Sequence, residues 1–491
     1  MSVSVNRQMA SGAFWTLALR VTERSVGLVS IVVLARLLTP RDFGVVALAA
    51  LVVGVLDLIG SFGFDAAIIQ RRDIHRGHYD TAWTLQAAYG ALCAVVMLVF
   101  AEPAAAFYGE PRLADVMRVF AVTVLVAGLE NVGVVDFRRN LDFRRDFQFM
   151  IVKRLTGTAT TLVLAFLWRN YWALVAGTLV GRVCAVIASF LLSRYRPRLA
   201  LSEWRSLAAF SPWMMLTHSL MFVLSRSAEF FLGRIAGARA VGLFSLGAEI
   251  SLLPTTEITS PVNRALLPGA AQIQADRGKV THTMKRVLGL VALLAVPAGG
   301  GIVAISPTLV PFVFGDQWVE AGVVIESVAV WGVLFALISS LGTGCVATGR
   351  IRRPPIMMAV CVVVLLGGLL AWVPSQGLAG AARAYLWTAA IGGPLAMLIG
   401  LNTVGLRMLD LLAVVWRPCV AAAIMILVVG LLIGRMDGVP HAIVLAVAVG
   451  GGALTYVAVI LAMWGPFSRK PSAERDLIDM ALHLLRRKRE R

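Results

Sequence analysis

Four arginines stand inside long apolar runs of this chain: Arg20 and Arg24 flank Glu23 in one run, and Arg182 and Arg226 lie at comparable depth in two others. A guanidinium stays charged at any physiological pH, and its planar fork of donors matches the oxygens of a phosphate. An arginine at the centre of a membrane helix costs about 2.5–3.5 kcal/mol on insertion scales, so these side chains should avoid lipid. Residues three and four apart share a helical face, which puts Arg20, Glu23 and Arg24 on one stripe. The chemistry predicted from them is electrostatic capture of a phosphate in a shared wet cavity, with Arg20, Arg24, Arg182 and Arg226 as the binding residues. The competing reading is structural, with Glu23 pairing Arg20 or Arg24 and Glu229 pairing Arg226.

Carboxylates in apolar runs form the second group: Glu23, Asp57, Asp65, Glu130, Glu229, Glu249, Glu257 and Glu326. A carboxylate in a half-dry cavity can change protonation as the cavity reorients, which makes Asp57, Glu249 and Glu257 candidates for a coupling proton or sodium ion. Pro254, Thr255, Thr256, Glu257 and Pro261 would break one helix and free its carbonyls. Gly299, Gly300 and Gly301 after Pro297 would hinge another or let it pack closely. Metal and cofactor sites are not expected. The five cysteines show no CxxC or CxxH spacing, and His75 and His78 sit in a basic loop without a carboxylate cluster. GxSxG, Walker A and HExxH patterns are absent, so the reading is not an enzyme.

These residues need a membrane scaffold. The chain of 491 residues is 59% apolar and 15% charged, against about 45–50% and about 25% in soluble domains. Its mean hydropathy is +0.82. Apolar stretches able to cross about 30 Å of hydrocarbon fall near 10–37, 43–69, 78–101, 113–135, 148–168, 171–193, 207–235, 241–265, 286–314, 320–347, 354–373, 377–402, 409–434 and 440–465. The first is too long and too charged for a signal peptide and reads as a span. A net charge of +18 would suggest nucleic acid in a soluble protein. Here, with fourteen spans, 31 of the 45 basic residues fall on the side of both termini and nine on the other. That bias makes the termini cytoplasmic and removes the case for nucleic acid. Beyond Pro471 an amphipathic helix ending in Arg486, Arg487, Lys488 and Arg489 suits an anionic membrane surface.

A shift of 198 residues aligns Trp15 with Trp213, Leu34 with Leu232, Arg36 with Arg234, Arg41 with Arg239, Gly44 with Gly242, Leu48 with Leu246 and Ala50 with Ala248. His218 then takes the place of Arg20. A repeat of six spans, an even number, gives two halves of the same orientation. The expected fold is all-α. It has a six-helix bundle over 1–200, a second over 201–405, two further membrane helices over 406–467 and a basic tail over 468–491.

The run from Leu34 to Ala49 (LARLLTPRDFGVVALA), the doubled Asp136-Phe-Arg-Arg and Asp142-Phe-Arg-Arg, and the stretch from Leu267-Pro268 to Phe314-Gly-Asp-Gln-Trp318 resemble the Wzx-type polysaccharide flippases of the multidrug/oligosaccharidyl-lipid/polysaccharide exporter superfamily. The resemblance covers most of residues 10–400. It implies two six-helix bundles around a central cavity that opens alternately to each face of the inner membrane. The implied cargo is a polyprenyl-diphosphate oligosaccharide, handed from glycosyltransferases to a polymerase. A peptidoglycan-precursor flippase and a cation-coupled drug antiporter are the alternatives on the same fold. Phe137, Phe143 and Phe147, interleaved with the arginines of the doubled motif, are read as an interfacial anchor on anionic lipid. Moving one charge through 100 mV is worth about 2.3 kcal/mol, so a diphosphate leaving a negative-inside cell would gain about 4–5 kcal/mol.

Overall fold

Apolar runs of this length leave backbone amides no partner but their own helix, and helix is what forms. The computed structural model describes the backbone of residues 2–60, 68–69, 73–204, 212–436 and 438–464. No strand occurs among the described residues. Asp65, Arg71, Arg72, Arg205 and the basic tail lie outside them.

In chain order the longer helices are α1 (Ser2–Leu37), α2 (Pro40–Gly60), α3 (Arg76–Tyr108), α4 (Arg112–Gly128), a short α5 (Val135–Arg139), α6 (Phe143–Trp168) and α7 (Trp172–Leu192). They continue as α8 (Pro212–Ile235), α9 (Gly237–Gln272), α10 (Arg277–Val313), α11 (Gly322–Ala347), α12 (Arg353–Trp387), α13 (Gly393–Val404), α14 (Met408–Gly434) and α15 (His441–Trp464). Eight helical stretches among the described residues are long and apolar enough to cross a bilayer, and a ninth is added if the bent pair α4 and Val132–Arg139 is one span. One of the eight, Arg353–Val404, is 52 residues long, far more than about 30 Å of hydrocarbon needs. It folds back on itself at Gly377, whose φ of 53° and ψ of −122° leave the helical region. Gly368 meets Ala384 and Gly380 meets the Trp372 carbonyl, contacts that only two antiparallel arms can make.

Two compact units result. The first comprises Met1–Pro212 with Leu232–Gly242, the second Trp213–Phe231 with Leu243–Arg491. The second unit thus takes in α14 and α15, and the segment 232–242 passes to the first.

Within the first unit, the start of α2 packs on that segment with no side chain between them. A Cβ on Gly44 would lie 1.7 Å from the Ala238 carbonyl oxygen, and one on Gly242 would lie 1.8 Å from that of Pro40. Nearby, Arg41 grips the buried Glu110 through Nε and Nη2, both at 2.9 Å, and Arg234 covers the Phe107 ring at 5.3 Å. The segment after α7 is stitched to the first turns of α3: the Tyr195 hydroxyl and the Arg198 amide (3.0 Å) donate to Asp80, and the Glu203 amide donates to Thr81 (3.2 Å). Burial and then the Asp80 carboxylate push the Tyr195 phenol well above its usual range. Asp80→Ala leaves two donors without their acceptor and is expected to cost about 1–3 kcal/mol, read as a fall in melting temperature in detergent.

In the second unit α9 runs unbroken through Pro254, Pro261 and Pro268, contrary to the break expected there. Hydroxyls of Thr255 and Thr256, just after Pro254, donate to the Leu252 carbonyl at 3.1 and 2.8 Å. The glycines after Pro297 serve packing: Gly299 meets Val333 on α11, and Gly300 meets Ile426 on α14. The Tyr456 hydroxyl then ties α15 to the Leu293 carbonyl at 2.8 Å.

Candidate functional site

Close approach of α6 and α7 shapes a cavity in the first unit. Gly157 on α6 faces Gly177 and Gly181 on α7, and a Cβ on Gly181 would lie 3.0 Å from the Gly157 Cα. Small residues one turn apart let backbones meet at this range. Thr161 follows, its hydroxyl donating back to the Gly157 carbonyl at 2.9 Å. α1 lies along α6, with Trp15 on Phe147 at 5.0 Å and Leu34 and Leu38 packed with Ala165 and Ala173. Between these helices and α2 lies a cavity of about 490 Å³, inside the range of about 300–1,000 Å³ common to small-ligand sites.

Four charged side chains line it: Glu23 from α1, Lys153 and Arg154 from α6, and Arg182 from α7. Ser30, Thr158, Thr161 and Thr178 add hydroxyls. Lys153 is held by Glu130 at 3.0 Å. Arg154 reaches across to α1, where a Cβ on Gly27 would touch its Nη2 at 3.0 Å. Among the described residues neither Arg154 nor Arg182 forms an ion pair within 4 Å, and none joins Glu23 to Arg20 or Arg24. Cationic charge therefore exceeds anionic charge in a space flanked by hydroxyls, which suits a multiply charged phosphate ester.

Of the arginines picked out from sequence, Arg182 lines this cavity. Arg20 and Arg24 are half-buried on the helix that bounds it but do not line it. Arg226, in the second unit, takes the structural option: its Nη1 contacts both oxygens of the buried Glu229 at 2.9 Å. Its side chain remains 44% exposed. Asp57 on α2 is exposed and within electrostatic reach of Arg182. Glu249 and Glu257 belong to the second unit, the first exposed and the second half-buried. His218 is exposed on α8.

Lys153 and Arg154 lie near the start of the 148–168 stretch, where basic residues read as part of the preceding loop. The usable signal was their spacing: Lys153, Gly157 and Thr161 repeat at four residues, a single helical face with Arg154 beside it.

The doubled DFRR motif is a built corner. Asp142 caps α6 by accepting the Arg145 amide at 3.2 Å, Arg138 pairs with Asp146 at 3.1 Å, and Tyr79 donates to Asp136. Phe137 is buried with Phe149 and Ala188, and Phe147 packs on Trp15. The lipid anchor expected of these phenylalanines is thus corrected for Phe137, which is core.

The fold also supplies the carboxylate that His75 and His78 lack in sequence. Glu203 lies 3.5 and 3.7 Å from their Nε2 atoms. The Gly77 amide donates to His75 Nδ1 at 3.2 Å and the His75 amide to His78 Nδ1 at 3.5 Å, which leaves each Nε2 facing Glu203. The cysteines stay free thiols; Cys93, Cys345 and Cys361 are buried and Cys419 is exposed.

Comparison with known proteins adds to this geometry. The sequence profile of the family described as "Polysaccharide biosynthesis protein" matches residues 33–323. The succinoglycan biosynthesis transport protein ExoT of Rhizobium meliloti (strain 1021) is 26% identical, over 98% of this chain and 97% of its own. The lipopolysaccharide biosynthesis protein WzxC of Escherichia coli (strain K12) is 24% identical over 71% and 72%. Among solved structures, the lipid II flippase MurJ in an inward closed conformation superposes with a TM-score of 0.74, over 93% of this chain and all of that one, at 14% identity. The fold is therefore that of MurJ.

Proposed function

Because this chain belongs to the polysaccharide biosynthesis protein family, we propose that it carries a polyprenyl-diphosphate-linked oligosaccharide from the cytoplasmic to the outer face of a bacterial inner membrane. The mechanism is alternating access, with no bond made or broken. The single observation that carries the reading is the cationic cavity of the first unit, where Arg154 and Arg182 meet four hydroxyls. Guanidinium groups bind a diphosphate through its oxygens whatever sugar follows, and the oligosaccharide needs the aqueous space. Two relatives carry names from polysaccharide synthesis, and one of them is named a transport protein.

The fourteen passes, both termini cytoplasmic, form two six-helix halves followed by α14 and α15. The Lys/Arg bias supports this topology, and so does the reversal at Gly377, which makes two arms of one apolar stretch. Pro40 and Ala238 are equivalent under the 198-residue shift, as are Gly44 and Gly242. The close packing of these four residues supports the repeat. Arg20, Arg24 and Arg226 are proposed as further contacts for the diphosphate along its path, and Asp57, Glu249 and Glu257 as the coupling-ion carboxylates. Glycosyltransferases supply the cargo and a polymerase consumes it. A lipid-linked peptidoglycan precursor shares the diphosphate and is the second reading, favoured by the MurJ fold.

Reconstitution in vesicles tests the assignment. A lipid-diphosphate oligosaccharide should cross in the presence of the protein, and a cationic dye should not; the reverse selectivity would make the chain a drug antiporter. Collapsing an imposed 100 mV potential removes about 4–5 kcal/mol of driving force for a doubly charged group and is expected to slow export markedly. Rates indifferent to the potential would rule out this driving force.

A further inference from the structure

In the second unit, three helix ends that the charge bias assigns to the cytoplasmic side converge: the turn between α9 and α10, the turn between α11 and α12, and the end of α13. The Thr281 hydroxyl on α10 donates to the Val404 carbonyl at 2.8 Å, locking α10 to the end of α13. Two adjoining cavities open there, of about 280 and 580 Å³. They share Arg350, Asn402 and Thr403; Arg277 lines the first, and Arg353 and Leu398 the second. No carboxylate lines either cavity, and among the described residues no ion pair reaches Arg277, Arg350 or Arg353. The adjacent Lys285 is different, because Asp410 neutralises it at 2.9 Å. Nor is the opening wholly polar. Leu398 and Leu395 on α13 are 39% and 45% exposed beside the larger cavity, where a membrane helix meets acyl chains.

We infer that this pocket is a binding site for the headgroup of an anionic glycerophospholipid. The phosphodiester lies among Arg277, Arg350 and Arg353, with Asn402 as a neutral donor, and the acyl chains run along α13 past Leu398. Basic pockets between helices at the cytoplasmic face hold anionic headgroups through charge-assisted bonds. A free inorganic phosphate would find the same arginines but gain nothing from the leucines, so the apolar exit commits the site to a lipid. The side assignment follows the topology proposed above; the binding itself does not depend on any transported cargo.

Native mass spectrometry of the purified full chain, delipidated in neutral detergent, tests the site. Phosphatidylglycerol and cardiolipin are titrated against phosphatidylcholine, with millimolar inorganic phosphate as competitor. Saturable binding of the anionic lipids is expected. Arg350→Gln and Arg353→Gln should each weaken it about ten-fold, while Arg352→Gln should leave it unchanged, because Arg352 stacks on Trp213 at 5.2 Å and does not line the pocket. Arg350→Lys keeps the charge, guards against misfolding, and should give an intermediate loss by removing the fork. Equal binding of phosphatidylcholine, an equal loss in Arg352→Gln, or displacement by inorganic phosphate would each overturn the inference. Because the assay reads no transport, its failure is distinguishable from failure of the proposed export.

Discussion

Alanine at Gly44 or at Gly242 is expected to abolish the stable protein, the largest single-residue effect foreseen in this chain. The added methyl would sit 1.7 or 1.8 Å from a carbonyl oxygen, and on each side the obstacle is backbone that cannot rotate away. Relief requires moving α2 from the 232–242 segment, which also strains the Arg41–Glu110 pair. Ordinary overpacking costs about 1–3 kcal/mol; a clash with fixed backbone belongs at or beyond the top of that range. Both variants should run as aggregates on size-exclusion chromatography or melt far below the wild type. Gly430→Ala is the control, since nothing lies within 4 Å of its added carbon. It replaces glycine by the best helix former and should hold or raise the melting temperature.

Arg182→Gln, alone and with Arg154→Gln, should remove export while leaving a folded membrane protein. A charge-assisted hydrogen bond is worth about 1.5–3 kcal/mol, so each substitution should lower export about ten- to a hundred-fold. Arg182→Lys should recover part of it, because the charge survives but the bidentate fork does not. Neither guanidinium holds the fold together through an ion pair among the described residues, so melting temperatures should barely move. Arg226→Gln should differ by losing stability as well. It strands the buried Glu229, a loss of about 3–5 kcal/mol, and the melting temperature should fall. The comparison separates an arginine that serves cargo from one that also serves structure.

Sequence alone carried the helical membrane class and the family, because each rests on local signals: apolar length and motif. It could not show that Arg226 pairs with Glu229 three residues on, since pairing and cavity lining look alike in one dimension. Lys153 and Arg154 escaped because, near the start of the 148–168 stretch, basic residues read as the flank of a span rather than as cavity lining. Glu203 joins His75 and His78 only through the hydrogen bonds that lay the post-α7 segment on α3. The prolines of α9 misled for another reason: a membrane helix can run on through interior prolines, as α9 does through three.

The most direct measurement is the affinity of the purified protein for a polyprenyl diphosphate, against the uncharged polyprenol of the same length. The diphosphate should bind at least ten-fold tighter, and Arg154→Gln with Arg182→Gln should erase that preference without affecting the polyprenol. Equal affinity for the two lipids, or a preference that survives both substitutions, would contradict the assignment of this cavity to the diphosphate.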